Sequence, residues 1–153
     1  MRVLVLTVFV LLSLAACGAD GPTGVTGPDN GFFRATVDGA PFNGISVVAS
    51  ISGNVIAVAS AELNSRTFGI AWIDEGTGTY EVGEGSGSAA NGSYIEGNLS
   101  WTASAIGGAG SIVVTERTDS RIRGTFSFTL VPTAASGATG NRNVTQGSFE
   151  VLF

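Results

Sequence analysis

Three side chains that carry much of the polar chemistry of enzymes are missing or scarce in this sequence. It contains no histidine and no lysine, and its single cysteine is Cys17. Because histidine is the commonest general base and metal ligand, its absence excludes Ser-His-Asp triads, Cys-His pairs and the usual zinc sites. The absence of lysine excludes an amine nucleophile. We therefore expect a protein that is not an enzyme and that holds no cofactor.

Positive charge is also scarce. Seven basic side chains, all arginine, stand against 12 acidic ones, and the formal net charge is −5 at pH 7. A chain this acidic has no basic footprint for binding nucleic acid. Charged residues make up only 12% of the sequence and apolar residues 44%, which favours a folded core over a charge-driven disordered chain.

The longest apolar run is confined to the N-terminus. Arg2 precedes roughly a dozen mostly apolar residues, the order that is typical of a secretory signal peptide. The run is too short to span a bilayer comfortably. Its end, LAAC over residues 14–17, resembles the bacterial lipobox, in which the thiol receives a diacylglycerol before cleavage. We therefore predict a signal peptide over residues 1–16 and a lipid on Cys17; the alternative is an ordinary signal peptide with an unmodified cysteine.

A lipid on Cys17 would determine where the protein resides. Two or more acyl chains give stable anchoring, so the partner of the N-terminus would be a membrane. The next residue is Gly18 and not the aspartate that resembles an inner-membrane retention signal. We therefore expect a protein of the bacterial cell envelope, anchored in the outer membrane on its periplasmic or surface face.

Residues 17–31 combine the lipidated cysteine with a predicted tether. The stretch GADGPTGVTGPDNG is rich in glycine, proline and aspartate and has no apolar periodicity, which is typical of a flexible linker. It also divides into four Gly-X-Y triplets, the period of collagen, but four triplets are too few to hold a triple helix.

Residues 32–153 show strand patterns and no helical periodicity. In the clearest strand, residues 121–131, one face carries the apolar residues Ile122, Phe126, Phe128 and Leu130 together with Gly124. Similar alternation predicts that two other sets point inward: Phe33, Ala35 and Val37, and Phe149, Val151 and Phe153. The remaining predicted strands are residues 45–51, 55–61, 67–73, 77–82, 93–95, 99–103 and 111–116. The fold class is therefore all-β: an antiparallel β-sandwich or a small barrel-like sheet of about ten short strands.

Two details of the pattern refine this fold. Residues 55–61 are apolar on both faces, which favours a central strand or one beneath a covering loop. The joints between strands carry turn residues, namely Asp38-Gly39, Ser52-Gly53-Asn54 and Thr118-Asp119-Ser120.

Three stretches of the sequence carry a family resemblance. They are FFRATVDGAPF at residues 32–42, GSIVVTERTDSRIRGTFSFTL at 110–130 and VTQGSFEVLF at 144–153. The order resembles a family of small bacterial lipoproteins catalogued only as a domain of unknown function. Its members have a lipobox, a polar tether, an F-x-A-x-V-x-G first strand, an I-x-G-x-F-x-F arm and a terminal T-x-G-x-F strand. The resemblance implies a lipid-anchored β-domain and assigns no catalytic residues.

The acidic residues are candidates for two kinds of site. Asp74, Glu75, Glu81 and Glu84 lie in a glycine-rich stretch whose oxygens could bind calcium, although the regular spacing of a calcium loop is absent. With Glu96 they could instead supply a carboxylate pair to a glycoside hydrolase. The alternative is that all five are solvated acids in hairpin turns.

The large aromatic residues are candidates for a sugar-binding platform. Trp72, Trp101, Tyr80 and Tyr94 could form a flat surface for a carbohydrate, although both tryptophans share a face with apolar neighbours, which favours the core.

We expect a lipid-anchored, non-catalytic binding or structural module, with a protein or carbohydrate ligand that the sequence does not identify. One alternative is an outer-membrane β-barrel, because the terminal alternation of Phe149, Val151 and Phe153 resembles the closing strand of such barrels. The other is the carboxylate-dependent hydrolase.

Overall fold

The computed structural model describes residues 23–27, 31–86 and 89–153, and strands dominate all of them. The strands within these ranges are β1 (Thr23–Gly27), β2 (Gly31–Val37), β3 (Ala40–Asn43), β4 (Ser46–Ser52), β5 (Val55–Ala61), β6 (Arg66–Ile73), β7 (Gly78–Gly83), β8 (Ala90–Glu96), β9 (Leu99–Ala103), β10 (Ala109–Arg117), β11 (Arg121–Pro132) and β12 (Arg142–Leu152). The predicted all-β class is confirmed. No helix in the described ranges is long and apolar enough to cross a membrane.

The strands form one curled antiparallel sheet. Its order is β1-β4-β5-β6-β8-β9-β11-β12-β2-β3, and β10 pairs with both β11 and β7. We call the strands β1, β4, β5, β6, β8 and β9 the β5 half, and the strands β7, β10, β11, β12, β2 and β3 the β11 half. Among the described strands, the backbone pairing between the two halves is made by the end of β11, where Val131 and Pro132 pair with Thr102 and Trp101 of β9. The two halves therefore face each other like the layers of a sandwich.

The core lies between the two halves. Phe68 of β6 is fully buried, and its ring centroid lies 5.5 Å from that of Phe33 and 5.3 Å from that of Phe126 in the opposite half. Trp72 of the β5 half lies 5.6 Å from Phe149 of the β11 half. Alternating inward residues of both halves thus enclose one aromatic core.

The predicted inward faces are confirmed with one exception. The inward residues of β2 and β11, Gly124 among them, are buried, as are Phe149 and Val151 of β12. Phe153 was expected to point inward, and that prediction is wrong. It lies beyond the end of β12 with 37% of its surface exposed. The alternation ends there because Leu152 is the last residue paired with β11.

The strand β5 is central in its half, between β4 and β6, as its two apolar faces indicated. The strand β8 begins at Ala90, earlier than the predicted residue 93. Gly92 weakened the sequence signal there, since glycine is poor in strands. A Cβ atom on Gly92 would lie 2.9 Å from the ring of Phe128, so the glycine makes room for a core side chain.

Two strands lie where no strand was predicted from the sequence. The strand β1 lies within residues 17–31, the predicted tether, and pairs with β4, which would otherwise be an unpaired edge. Such pairing uses backbone groups and requires no apolar pattern. The strand β3 follows the Asp38-Gly39 turn, and its Pro41 is tolerated because β3 is the last strand of the sheet.

The G-x-F patterns of β11 and β12 have a packing explanation. Gly124 lies opposite Phe149, and Gly147 lies opposite Phe126. A Cβ atom on Gly124 would lie 2.8 Å from the Phe149 ring, and one on Gly147 would overlap the Phe126 ring. Each glycine therefore leaves space for the phenylalanine on the neighbouring strand. These motifs build the core.

Candidate functional site

The acidic stretch that could bind calcium does not form a metal cluster within the ranges that the structure describes. No group of three or more acidic, histidine or cysteine side chains that could hold a metal ion is found there. Asp74 instead accepts hydrogen bonds from Arg117 Nε at 2.8 Å and from the amide of Gly76 at 3.1 Å. Glu81 and Glu84 are exposed. In place of the candidate calcium site, Asp74 forms an ion pair and the other acids lie on the surface.

The five acids do not converge on one site. Glu96 lies opposite Arg66, the first residue of β6, in the β6–β8 register. Asp74 follows the other end of β6. An eight-residue strand spans roughly 25 Å. Glu75 and Glu81 do border one open cleft of about 310 Å³. Both are exposed, whereas the general acid of a glycosidase is typically held in an apolar pocket.

The aromatic platform is not present. Trp72 and Trp101 each expose only 1% of their surface, and Tyr94 and Tyr80 are also buried. The tryptophans point inward because they alternate in register with the core residues of β6 and β9. Trp101 donates its indole N–H to the carbonyl of Gly140 at 2.8 Å. The rings are therefore core residues, as their apolar neighbours favoured, and the candidate sugar platform is not formed.

The fold forms a charged cleft at one end of the β5 half that no sequence pattern predicted. We call it the arginine cleft, and its volume is about 240 Å³. It lies where β6 begins, β8 ends and the β2–β3 turn approaches β12. Its lining residues are Val37, Asp38, Ala40, Arg66, Tyr94, Glu96 and Arg142.

The guanidinium of Arg142 makes three contacts within the arginine cleft. Its NH1 atom lies 3.0 Å from Asp38 Oδ2, and its NH2 atom lies 3.6 Å from Glu96 Oε2. Its guanidinium carbon lies 4.4 Å from the ring centroid of Trp101, a cation–π distance. The buried indole thus presents its face to a cation of the same chain.

Arg66 is held in a similar way. Its Nε donates to the Tyr94 hydroxyl at 2.9 Å, its NH2 donates to the carbonyl of Pro41 at 3.1 Å, and its NH1 lies 3.2 Å from Glu62 Oε2. Burial raises the pKa of Tyr94 above its ordinary value of 10.0, and the hydrogen bond from Arg66 opposes that rise. The phenol therefore stays neutral at physiological pH.

This geometry determines what the arginine cleft can do. Each guanidinium is already engaged by oxygens of the same chain, so an incoming anion would have to displace a carboxylate. The contacts join the ends of strands from both halves, and Asp38 and Arg142 are 104 residues apart in sequence. These contacts therefore stabilise the packing of the two halves against each other.

Hydroxyl side chains line part of the outward face of the β11 half. Two adjoining grooves of about 290 and 360 Å³ run along β10, β11 and β12 and share Ser127. Gln146 borders one groove at the irregularity in the β11–β12 pairing, with a φ of 53°. Its side-chain oxygen lies 3.2 Å from the Thr36 hydroxyl, which donates to it. These grooves offer neutral hydrogen-bonding groups to solvent.

A family model described as a domain of unknown function (DUF6252) matches residues 29–152. The chain belongs to this family. No curated protein and no solved structure matches the chain. The matched DUF6252 segment contains all the strands from β2 to β12, so the family domain is the curled sheet without β1. Membership assigns no site residue, since the function of the domain is unknown.

Proposed function

We propose that this DUF6252 protein is a lipid-anchored, non-catalytic binding or structural module of the bacterial cell envelope, held in the outer membrane by acyl chains on Cys17. The sequence LAAC at residues 14–17 carries the proposal, because it ends a signal-like segment at the chain's one cysteine. Cys17 and the residues before it lie outside the described ranges. The folded domain begins within about a dozen residues of Cys17, so acyl chains on Cys17 would hold it close to a membrane surface.

The charged groups support the absence of catalysis. Within residues 31–86 and 89–153, five arginines form ion pairs with carboxylates of the same chain. They are Arg66, Arg117, Arg121, Arg123 and Arg142. With histidine and lysine absent from the sequence, few groups remain for acid–base or nucleophilic chemistry.

The sidedness of the strands supports a module over a membrane-embedded barrel. A membrane barrel turns its apolar side chains outward to lipid and its polar side chains inward. Here the apolar residues of β11 are buried between the two halves. The outward positions of that strand carry Arg123, Thr125, Ser127 and Thr129.

The test of the proposal is metabolic labelling of the full chain with a fatty-acid probe in a bacterial host. We expect the wild-type chain to be labelled and to fractionate with membranes, and the Cys17→Ser variant to lose the label. Ser13→Ala, which lies just before the LAAC segment, is the matched control and should remain labelled. A labelled Cys17→Ser protein, or an unlabelled wild type, would contradict lipid anchoring.

A further inference from the structure

The outward face of the β5 half carries no charged residue. On strands β4, β5, β6, β8 and β9 the outward positions are occupied by small hydroxyl, amide, alanine and glycine residues and by a few aliphatic ones. We call this surface the neutral face. Its residues are Ser46, Val48, Ser50, Ser52, Val55, Ala57, Ala59, Ala61, Thr67, Gly69, Ala71, Ile73, Asn91, Ser93, Ile95, Ser100 and Thr102.

The neutral face differs from the outward face of the other half. The β11 half exposes charges of both signs, among them Arg34, Glu81 and Arg123. The whole chain is acidic, so two copies that approach through most other surfaces bring like charges together. Contact through the neutral face avoids that repulsion.

The neutral face is also partly apolar and shaped for a flat partner. Val48, Val55 and Ile95 each expose 41% of their surface, and Ile73 exposes 36%. These aliphatic side chains surround a centre of very small residues, because the register across the strands is Val48, Ala59, Gly69, Ser93 and Thr102. A raised aliphatic rim around a low centre allows another sheet to approach closely.

We propose that the occupant of the neutral face is a second copy of this chain, packed sheet to sheet about a two-fold axis. A two-fold contact uses the same patch on both copies, so with the axis at the centre of the face the small central residues oppose each other and the aliphatic residues meet around them. Five strands of five to eight residues, about 4.8 Å apart, cover roughly 500 Å² in projection. Standard interfaces bury about 800 Å² of accessible surface per partner, which follows side-chain contours and exceeds the projection. The face therefore fits a small dimer interface.

The association does not require the lipid, but a shared membrane would raise the local concentration of the copies. That strengthening rests on the proposed function. The contact between the neutral faces does not rest on the proposed function, so dimer formation and lipid anchoring can be tested separately.

The experiment uses the full chain in its bacterial host and exploits its single native cysteine. Ala59→Cys and Ala71→Cys each place one thiol at the centre of the neutral face. Ser127→Cys, on the outward face of the β11 half, is the matched control. After mild oxidation of intact cells, we expect a disulfide-linked dimer for both neutral-face variants, at least about tenfold more abundant than for the control.

The unsubstituted chain separates failure of this proposal from failure of lipid anchoring. Any cross-link through Cys17 would also form in the unsubstituted chain, so the neutral-face contact is measured by the dimer in excess of that chain, whereas lipid anchoring is measured by the fatty-acid label. A second variant, Ala59→Arg, adds a buried like charge on both sides of the two-fold contact, and we expect it to shift the detergent-solubilised chain from dimer to monomer in light scattering. The proposal is overturned if Ser127→Cys cross-links as well as Ala71→Cys, if no variant cross-links, or if the wild-type chain is a monomer at all concentrations.

Discussion

At the scale of single residues, the positions of glycine and phenylalanine are matched across strands. Gly124 faces Phe149 and Gly147 faces Phe126, so the four residues form two reciprocal pairs between β11 and β12. The ring of Phe126 also lies 4.9 Å from that of Phe33 and 5.3 Å from that of Phe68. Removing a ring here empties the middle of the core, and adding a methyl group opposite it forces the ring to move.

We expect Phe126→Ala and Phe128→Ala each to lower the free energy of unfolding by about 3–5 kcal/mol, the usual loss for a buried phenylalanine. Gly147→Ala should lower it by about 1–3 kcal/mol because the new Cβ overlaps the Phe126 ring. Thr125→Ala, outward on the same strand, should change it by less than about 0.5 kcal/mol. Urea unfolding measures all four values, and equal values for Phe126→Ala and Thr125→Ala would mean that the face is wrongly assigned.

Tyr94 makes stability depend on pH above neutrality. Below pH 10 the phenol is protonated in both states, but above it the unfolded chain loses the proton while burial raises the pKa of the folded Tyr94. Unfolding then releases a proton, so stability falls as the pH rises. Between about pH 8 and about pH 10.5 we expect the wild type to lose more stability than Tyr94→Phe. Identical losses in denaturant titrations would show that Tyr94 does not contribute, since Tyr80 is common to both proteins.

At the scale of strands and turns, alternation alone located most of the sheet. The sequence predicted the inward sets of β2 and β11 because each of these strands has one buried and one wet face. It did not predict β1 and β3, because β1 pairs through its backbone and β3 is short and contains proline. Such elements are determined by neighbouring strands more than by their own residues.

The Asp38-Gly39 turn contributes a carboxylate to the arginine cleft. Both residues have positive φ, 49° and 84°, as a two-residue hairpin turn between twisted strands requires. The Asp38 carboxylate also accepts from the amide of Asn143 at 2.8 Å and from Arg142 at 3.0 Å. The turn therefore anchors the beginning of β12.

We expect Asp38→Ala to lower the free energy of unfolding by about 1–3 kcal/mol, because it removes both bonds and disfavours positive φ. Asp38→Asn keeps the turn preference and one acceptor, so its loss should be below about 1 kcal/mol, as for a partly exposed ion pair. Asp119→Ala, in the β10–β11 turn, is the control and should have little effect. Thermal melts rank the three variants, and an Asp38→Asn loss as large as that of Asp38→Ala would assign the whole effect to the charge.

At the scale of the whole molecule, the sequence predicted the class of fold but not the arrangement of its polar groups. The partners in the arginine cleft come from distant segments, and no local spacing links Asp38 to Arg142. The acids that local spacing did bring together, around Asp74, are held in an ion pair or exposed. Side chains that look functional in sequence, such as Trp72 and Trp101, are buried because strand register decides which way they point.

The apolar face of the sheet is turned inward, so the domain buries its own core. Among the side chains that the structure describes, the buried core cluster runs from Phe33 to Val151. Residues 31–153, expressed without the signal and tether, keep all of these side chains and lose the backbone pairing of β1 with β4. The most direct measurement is gel filtration of this fragment in plain buffer, combined with circular dichroism. We expect a β-rich, water-soluble species of monomer or dimer size; a fragment that aggregates in buffer and becomes β-rich only in detergent would show that the apolar face is not turned inward.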